Sequence, residues 1–310
     1  MAKLFLTGSS GFVGSHVARL ALAEGHEVAA LVRPGDPMRR LRDLRHELCV
    51  LEGDLANIAT FRDALCGLRP DVCIHCAWYA EPGSYLHAVE NIHCLTESLA
   101  LLRELIALGC RQVIMVGSCA EYETDAGFLR EDGATRPVTL YAATKLALGV
   151  VGEQLAKRTE INFAWARLFY LYGPDEDERR LVPALIRALL HGQPFPATSG
   201  EQVRDYLHVA DVASGLLTLA NRNAAGTYNI ASGLPVTVRQ LAETVGELVG
   251  RPDLIRFGAV PYRDWEPPFI CGDSGRLRAL GWSPRHSLRE GLARTIQWWR
   301  NTASGVAPAP

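Results

Sequence analysis

Several features are missing from this chain, and each absence excludes a class of answer. No charge sign dominates: 32 Lys and Arg stand against 34 Asp and Glu, a formal net charge of -2. That balance gives no reason to expect nucleic acid or an acidic membrane as partner. No apolar run approaches the ~20 residues that a membrane-spanning helix needs. The first eight residues carry one basic side chain and a very short apolar run before Gly8. No secretory pattern is read there, and a cytoplasmic protein is expected. No internal repeat or low-complexity linker breaks the 310 residues, which suffice for one large core or two joined domains. Eight cysteines are present, most of them inside apolar runs, as small buried hydrophobes are. Cys73-Ile74-His75-Cys76 has redox or metal-ligand spacing, but no second ligand pair accompanies it, and no metal is expected.

The residues that are present alternate between short apolar runs and helical stretches. Lys3 to Leu6 reads as a strand, Thr7 to Gly14 as a glycine turn, and Ser15 to Ala23 as a helix. Gly8 and Gly11 let the backbone approach a pyrophosphate, and Gly14 lets the helix pack close to the strand. The helix start offers free N–H groups to the phosphates. Ser10, Phe12 and Val13 belong to the same turn. Further strands are expected at His26–Val32, within Cys49–Leu55, which holds the third strand and its exit, and at Asp71–Cys76, Gln112–Val116, Asn162–Phe169 and Ala225–Ile230. Helices are expected at Asn91–Gly109, Leu181–His191, from Thr237 as N-cap to Gly250, and at Ser287–Arg300. Residues 304–310 read as a frayed tail.

Arg33 closes the second strand, where an arginine accommodates a 2′-phosphate and an acidic residue holds a ribose hydroxyl. NADP(H) is therefore preferred, with NAD(H) as alternative and Asp36 as the candidate ribose ligand in that case. Arg39, Arg40 and Arg42 are read as the exposed face of a helix. Asp54 is placed against the adenine amino group, with Leu55 beside it, and Ala77-Trp78-Tyr79 where a cofactor edge passes.

Tyr141 and Lys145 lie four apart on a helical run and so share a face. A neighbouring ammonium lowers the pKa of a phenol, which suits Tyr141 to proton transfer with a sugar or alcohol oxygen. Ser118, at the carboxyl end of the fifth strand, can donate to the same oxygen.

Taken jointly, Thr7-Gly8-x-x-Gly11-Phe12-x-Gly14, Gly53-Asp54-Leu55, Ser118 before Tyr122, Tyr141-x-x-x-Lys145, Arg167-x-Phe169-x-x-Tyr172-Gly173-Pro174 and Arg204-Asp205-Tyr206-x-His208-Val209-x-Asp211-Val212 resemble the NAD(P)-dependent epimerase/dehydratase family of extended short-chain dehydrogenases/reductases. The resemblance covers residues 3 to about 300. It implies a doubly wound α/β parallel sheet over 1–172 and 207–231 that carries NAD(P). A smaller unit over 173–206 and 232–303 would close on a nucleoside-diphosphate-sugar. Ser118, Tyr141 and Lys145 would form the catalytic set, with Lys145 also holding the nicotinamide ribose. Substrate contacts are expected from Tyr79, Cys119, Glu121, Tyr170, Arg180, Arg204 and Arg263. Arg204 would grip the diphosphate, and for Arg263 a surface role is the alternative. A homodimer through the helices near 91–109 and 141–157 is implied as well.

Two departures narrow the activity. The Asp-Glu pair that sugar 4,6-dehydratases of the family carry is replaced by Cys119 and Ala120, which cannot eliminate water. The family's usual Asn after the sixth strand is Tyr170. Three readings follow: an NADPH-dependent 4-ketoreductase acting on a 4-keto-6-deoxy sugar nucleotide, a 4-epimerase with tightly held NAD+, and a nucleotide-binding regulator without turnover. The first is preferred, and the complete Ser118/Tyr141/Lys145 set argues against the last.

Overall fold

In the computed structural model, residues 1–124, 127–262 and 266–303 are described. Seven parallel strands form the central sheet, in the spatial order Gly226–Ile230, Asn162–Leu168, Gln112–Ser118, Val72–His75, Lys3–Thr7, Glu27–Val32, Cys49–Glu52. The strands are apolar on both faces because helices cover both. Alternate side chains serve opposite cores: Leu4 and Leu6 pack with Val28, Ile74, Val212 and Leu216. Phe5 packs with Cys73, Val113, Met115, Leu101 and Leu105 on the other face. Chain order runs outward in both directions from Lys3–Thr7, so the connections part between it and Val72–His75. The crevice outside the carboxyl ends at such a point is where this architecture binds nucleotides.

A third core gathers Val182, Leu185 and Ile186 with Leu241, Val245, Leu292 and Ile296. They belong to the helices Leu181–Leu190, Val238–Val249 and Leu288–Ala303. Beside it, Val203–His208 pairs in parallel with Tyr170–Tyr172 and antiparallel with Pro235–Thr237. The expected N-cap is observed: Thr237 Oγ1 accepts from Gln240 N at 3.0 Å, and Gln240 Oε1 returns the bond to Thr237 N at 2.9 Å. Two acidic residues of the Arg204–Val212 motif are structural joints. Asp205, fully buried, accepts from Ser232 N and Oγ, both at 2.7 Å, and from Gly233 N at 2.9 Å. Asp211 accepts from Arg285 N at 2.9 Å and His286 N at 3.1 Å. No helix among the described residues is long and apolar enough to cross a membrane.

Candidate functional site

The glycine turn opens the crevice. Gly8 has φ +66°, and a Cβ there would stand 2.6 Å from the Ala77 amide nitrogen, so Ala77 is packed directly beneath the turn. A Cβ on Gly14 would fall onto the Gly8 carbonyl. The helix Phe12–Ala23 that follows has no side-chain cap and no acid in its first turn. Its first N–H groups therefore remain available to an anion. This cradle fits the pyrophosphate of a dinucleotide.

Around the cradle, Ser10 Oγ donates to Asp36 Oδ2 at 2.7 Å, while Met38 N donates to Asp36 Oδ1 at 2.8 Å. Arg33 is exposed, and no partner for its guanidinium is found among the described residues. Arg40 corrects the reading of an exposed helical face. It is half-buried, and its Nε reaches the Asp175 carbonyl at 3.0 Å while Nη1 reaches the Ser10 carbonyl at 3.3 Å. It thus ties the glycine turn to the segment after Pro174. Asp54 accepts from Ala56 N at 3.0 Å through Oδ1. Its Oδ2 has no protein partner among the described residues, and Leu55 is half-buried beside it.

Ser118 ends the strand Gln112–Ser118 and caps a one-turn helix, Cys119–Glu121. Its Oγ accepts from Ala120 N at 3.2 Å, so the hydroxyl proton is left to give elsewhere. Glu121 closes the same capping box, accepting from Ser118 N at 2.7 Å. That carboxylate, fully buried, also takes Trp165 Nε1 at 3.0 Å and Arg167 Nε at 2.7 Å. Its oxygens are committed inside the protein, which contradicts the expectation that Glu121 touches substrate. Trp165 in turn sets the depth of the neighbouring helix, Leu140–Ala156. A Cβ on Gly117 would come within 2.5 Å of the indole, and one on Gly149 within 2.8 Å, so the ring lies directly between strand and helix.

That helix begins at the Thr139 N-cap and carries Tyr141, which shares a hydrogen bond with the Ser118 side chain, and Lys145 one turn on. Tyr85 meets the Tyr141 ring edge-on at 5.0 Å and Trp78 at 6.4 Å. The fully buried Asn91 holds both neighbours: Oδ1 accepts from Trp78 Nε1 at 2.8 Å, and Nδ2 donates to the Tyr85 carbonyl at 2.6 Å. Sequence reasoning missed Asn91 and Tyr85, because nothing local marks a contact that only folding creates. Lys145 is 3% exposed, donates to the Val116 carbonyl at 2.6 Å and lies 3.7 Å from the centre of the Trp78 ring.

The electrostatics differ from the expectation. Burial, reinforced by Tyr85, raises the Tyr141 phenol above its ordinary value, while hydrogen bonding with the Ser118 side chain pulls the other way. Lys145 is not among the largest influences on it: the ammonium stands 6.0 Å from the centre of the phenol ring and faces Val116 and Trp78. Burial brings Lys145 itself down to about 7, against a smaller opposing pull from Glu121.

Of the expected substrate residues, Tyr170 is half-buried and stacks obliquely on Tyr206 at 5.9 Å. Cys119 is buried, its thiol pushed up to about 12 by desolvation, and beside it Ala120 is no acid either. Tyr79 pairs its hydroxyl with Ser84 Oγ at 3.1 Å. Arg180 lies over the Tyr85 ring at 5.0 Å and donates to the Ala80 carbonyl at 3.0 Å. Arg204 is also not the open guanidinium expected. It is 2% exposed, with Nη1 on the Val203 and Pro267 carbonyls, both at 2.8 Å, and Nη2 on Glu266 Oε1 at 2.7 Å. Arg263 lies outside the described residues.

Comparison with known proteins agrees with this geometry. The NAD dependent epimerase/dehydratase family profile matches residues 4–231. A UDP-glucose 4-epimerase of Corynebacterium glutamicum is 27% identical over 92% of each chain. A CDP-abequose synthase of Salmonella typhimurium is 26% identical over 95% of this chain and 97% of its own. Among solved structures, a dTDP-glucose 4,6-dehydratase of Streptomyces venezuelae with NAD bound superposes with a TM-score of 0.87. It is 26% identical and covers 99% of both chains.

Proposed function

The chain belongs to the NAD dependent epimerase/dehydratase family, and from that premise we propose that it reduces the C4 keto group of a nucleoside-diphosphate 4-keto-6-deoxy sugar with NADPH. The observation that carries this reading is the exposed Arg33 guanidinium at the end of the second strand, which suits the 2′-phosphate of the cofactor that reducing enzymes draw on. Burial raises the Tyr141 phenol, in keeping with a role as proton donor. Bound NADPH supplies the hydride. Ser118, its Oγ occupied by Ala120 N, gives its hydroxyl proton to the substrate oxygen as a hydrogen bond. Tyr141 passes its proton to that oxygen as charge develops on it, and Lys145 holds the nicotinamide ribose. The glycine turn, with Ser10, Phe12 and Val13, receives the pyrophosphate, and Ala77, Asp54 and Leu55 line the cofactor.

The exposed guanidinium of Arg33 supports NADPH over NADH, since a fork of donors suits a 2′-phosphate. Cys119 and Ala120 weigh against dehydration, because neither replaces a carboxylate pair. A second reading, 4-epimerisation with tightly bound NAD+, is favoured by the similarity to the Corynebacterium glutamicum epimerase. The third core supports assigning the sugar to residues 173–206 and 232–303, and the cofactor to 1–172 and 207–231. Ile92 and Val150, 49% and 50% exposed on the helices Glu90–Ala107 and Leu140–Ala156, support a homodimer through that face.

The test is mass spectrometry of the cofactor released on denaturing the purified protein, followed by stopped-flow reduction with NADPH and NADH. An empty or NADP-bearing site with NADPH preferred at least about tenfold, ~1.4 kcal/mol, is expected. NAD+ at full stoichiometry would establish the epimerase reading, and equal rates and affinities would remove the Arg33 argument. Tyr141→Phe is expected to abolish turnover while leaving cofactor affinity in place.

A further inference from the structure

Between the glycine turn and the Arg204 region runs a short segment, Pro174 to Arg180, that is fastened on both sides. The Pro174 carbonyl meets His16 Nε2 at 3.2 Å, and the Asp175 carbonyl takes Arg40 Nε at 3.0 Å. Asp175 has φ +67°, a left-handed conformation uncommon outside glycine. Downstream, Asp177 accepts Arg179 Nη2 at 2.7 Å, and Arg179 also pairs with Glu81. Held this way, Glu176 turns inward. Its Oε2 is buried and has no hydrogen-bond partner among the described residues. Buried polar atoms are nearly always paired, so an orphan beside a candidate cleft invites a ligand.

The surroundings of Glu176 indicate which ligand. Arg180 and Asp177 are the charges acting on it, and Glu176 in turn acts on Tyr206, as do Arg204 and Glu266. Arg180 covers the Tyr85 ring at 5.0 Å, and Tyr85 meets Tyr141 edge-on at 5.0 Å. The carboxyl thus shares its surroundings with Tyr206, beside Arg204 and Glu266.

We propose that Glu176 is a substrate-recognition residue, its unpaired Oε2 hydrogen-bonding a hydroxyl of the sugar. This rests on the reading of a nucleotide sugar in the cleft. Burial pushes this carboxyl up to about 8, so it is neutral at pH 7 and offers a proton as well as a lone pair. A neutral group suits an uncharged hydroxyl without adding negative charge near a diphosphate.

The experiment is calorimetric titration of wild type, Glu176→Leu and Glu176→Gln. The probes are UDP-, CDP- and dTDP-glucose and the matching nucleoside diphosphates, over a range from about pH 6 to about pH 9. Glu176→Leu is expected to bind the accepted nucleotide sugar about tenfold more weakly and the nucleoside diphosphate within about twofold of wild type. Wild-type affinity for the nucleotide sugar should change through about pH 8, and Glu176→Gln should be flat there. Unchanged nucleotide-sugar affinity in Glu176→Leu overturns the proposal, as does an equal loss for both ligand sets. A loss confined to NADPH, followed by fluorescence, would place the carboxyl on the cofactor and overturn it too. If Glu176→Leu does not fold, a Gln variant with the wild-type pH dependence has the same force. A wild type that binds none of the nucleotide sugars refutes the substrate reading itself, a distinct result.

Discussion

Replacing Glu121 by alanine separates a structural carboxylate from a substrate ligand. In the folded protein this side chain accepts from Ser118 N, Trp165 Nε1 and Arg167 Nε while fully buried. Arg167 is itself only 6% exposed, with its guanidinium over the Tyr122 ring at 4.4 Å. Deleting the carboxylate leaves a buried cation without its counter-charge, which costs about 3–5 kcal/mol. The indole N–H and the Ser118 amide are orphaned at about 1–3 kcal/mol each, less whatever water entering the cavity recovers. The sum is a large part of the about 5–15 kcal/mol that holds a typical domain together. Denaturant unfolding of Glu121→Ala should therefore show a midpoint far below wild type, or no cooperative transition at all. The loss should precede any specific change in ligand affinity. A variant with wild-type stability but weakened nucleotide-sugar binding would refute this reasoning and return Glu121 to the substrate pocket.

Other outcomes follow from the same geometry. Gly14→Ala drives a methyl group onto the Gly8 carbonyl, so the cradle must shift. NADPH affinity by fluorescence titration should fall at least about tenfold with the fold retained by circular dichroism, and an unchanged Kd would remove the turn from the cofactor site. Lys145, lowered to about 7, is charged below that pH and neutral above it. If the ammonium holds the cofactor ribose, kcat/KM for NADPH, which reports the free enzyme, should fall as pH rises through about 7. A flat profile across that range would show that Lys145 does not titrate there.

Much of this molecule is written in local patterns. The glycine turn, the Thr237–Gln240 capping box and the alternation of strand and helix each depend on residues a few positions apart, so periodicity and cap chemistry reveal them. Ser118-Cys119-Ala120-Glu121 carries the same Ser-x-x-Glu signature, which could have identified Glu121 as a capping partner rather than a substrate ligand. Boundaries slipped where the local signal is weak: the strand expected over Gln112–Val116 runs on to Ser118, and the last helix runs to Ala303. Contacts between residues far apart in the chain carry no such mark. Arg40 on Ser10 and Asp175, Asn91 on Trp78 and Tyr85, and Glu266 on Arg204 all join distant segments. The rise of the Tyr141 phenol, where a fall was expected, has a related reason. Helical spacing placed Tyr141 and Lys145 on one face, but the direction of the ammonium was decided by the Val116 carbonyl and the Trp78 ring.

The indole of Trp165 works as a spacer gauge. Pinned by Glu121 and flanked by two positions without side chains, it decides from the interior how far the phenol-bearing helix stands from the serine-bearing strand. The chemistry is thereby insulated from the cleft wall. Residues of the cleft wall can be exchanged, as Tyr170 and Cys119 illustrate against the family pattern, while the spacing of the Tyr141 helix from the Ser118 strand stays as it is. A fold built this way can acquire new substrates by altering its lining alone.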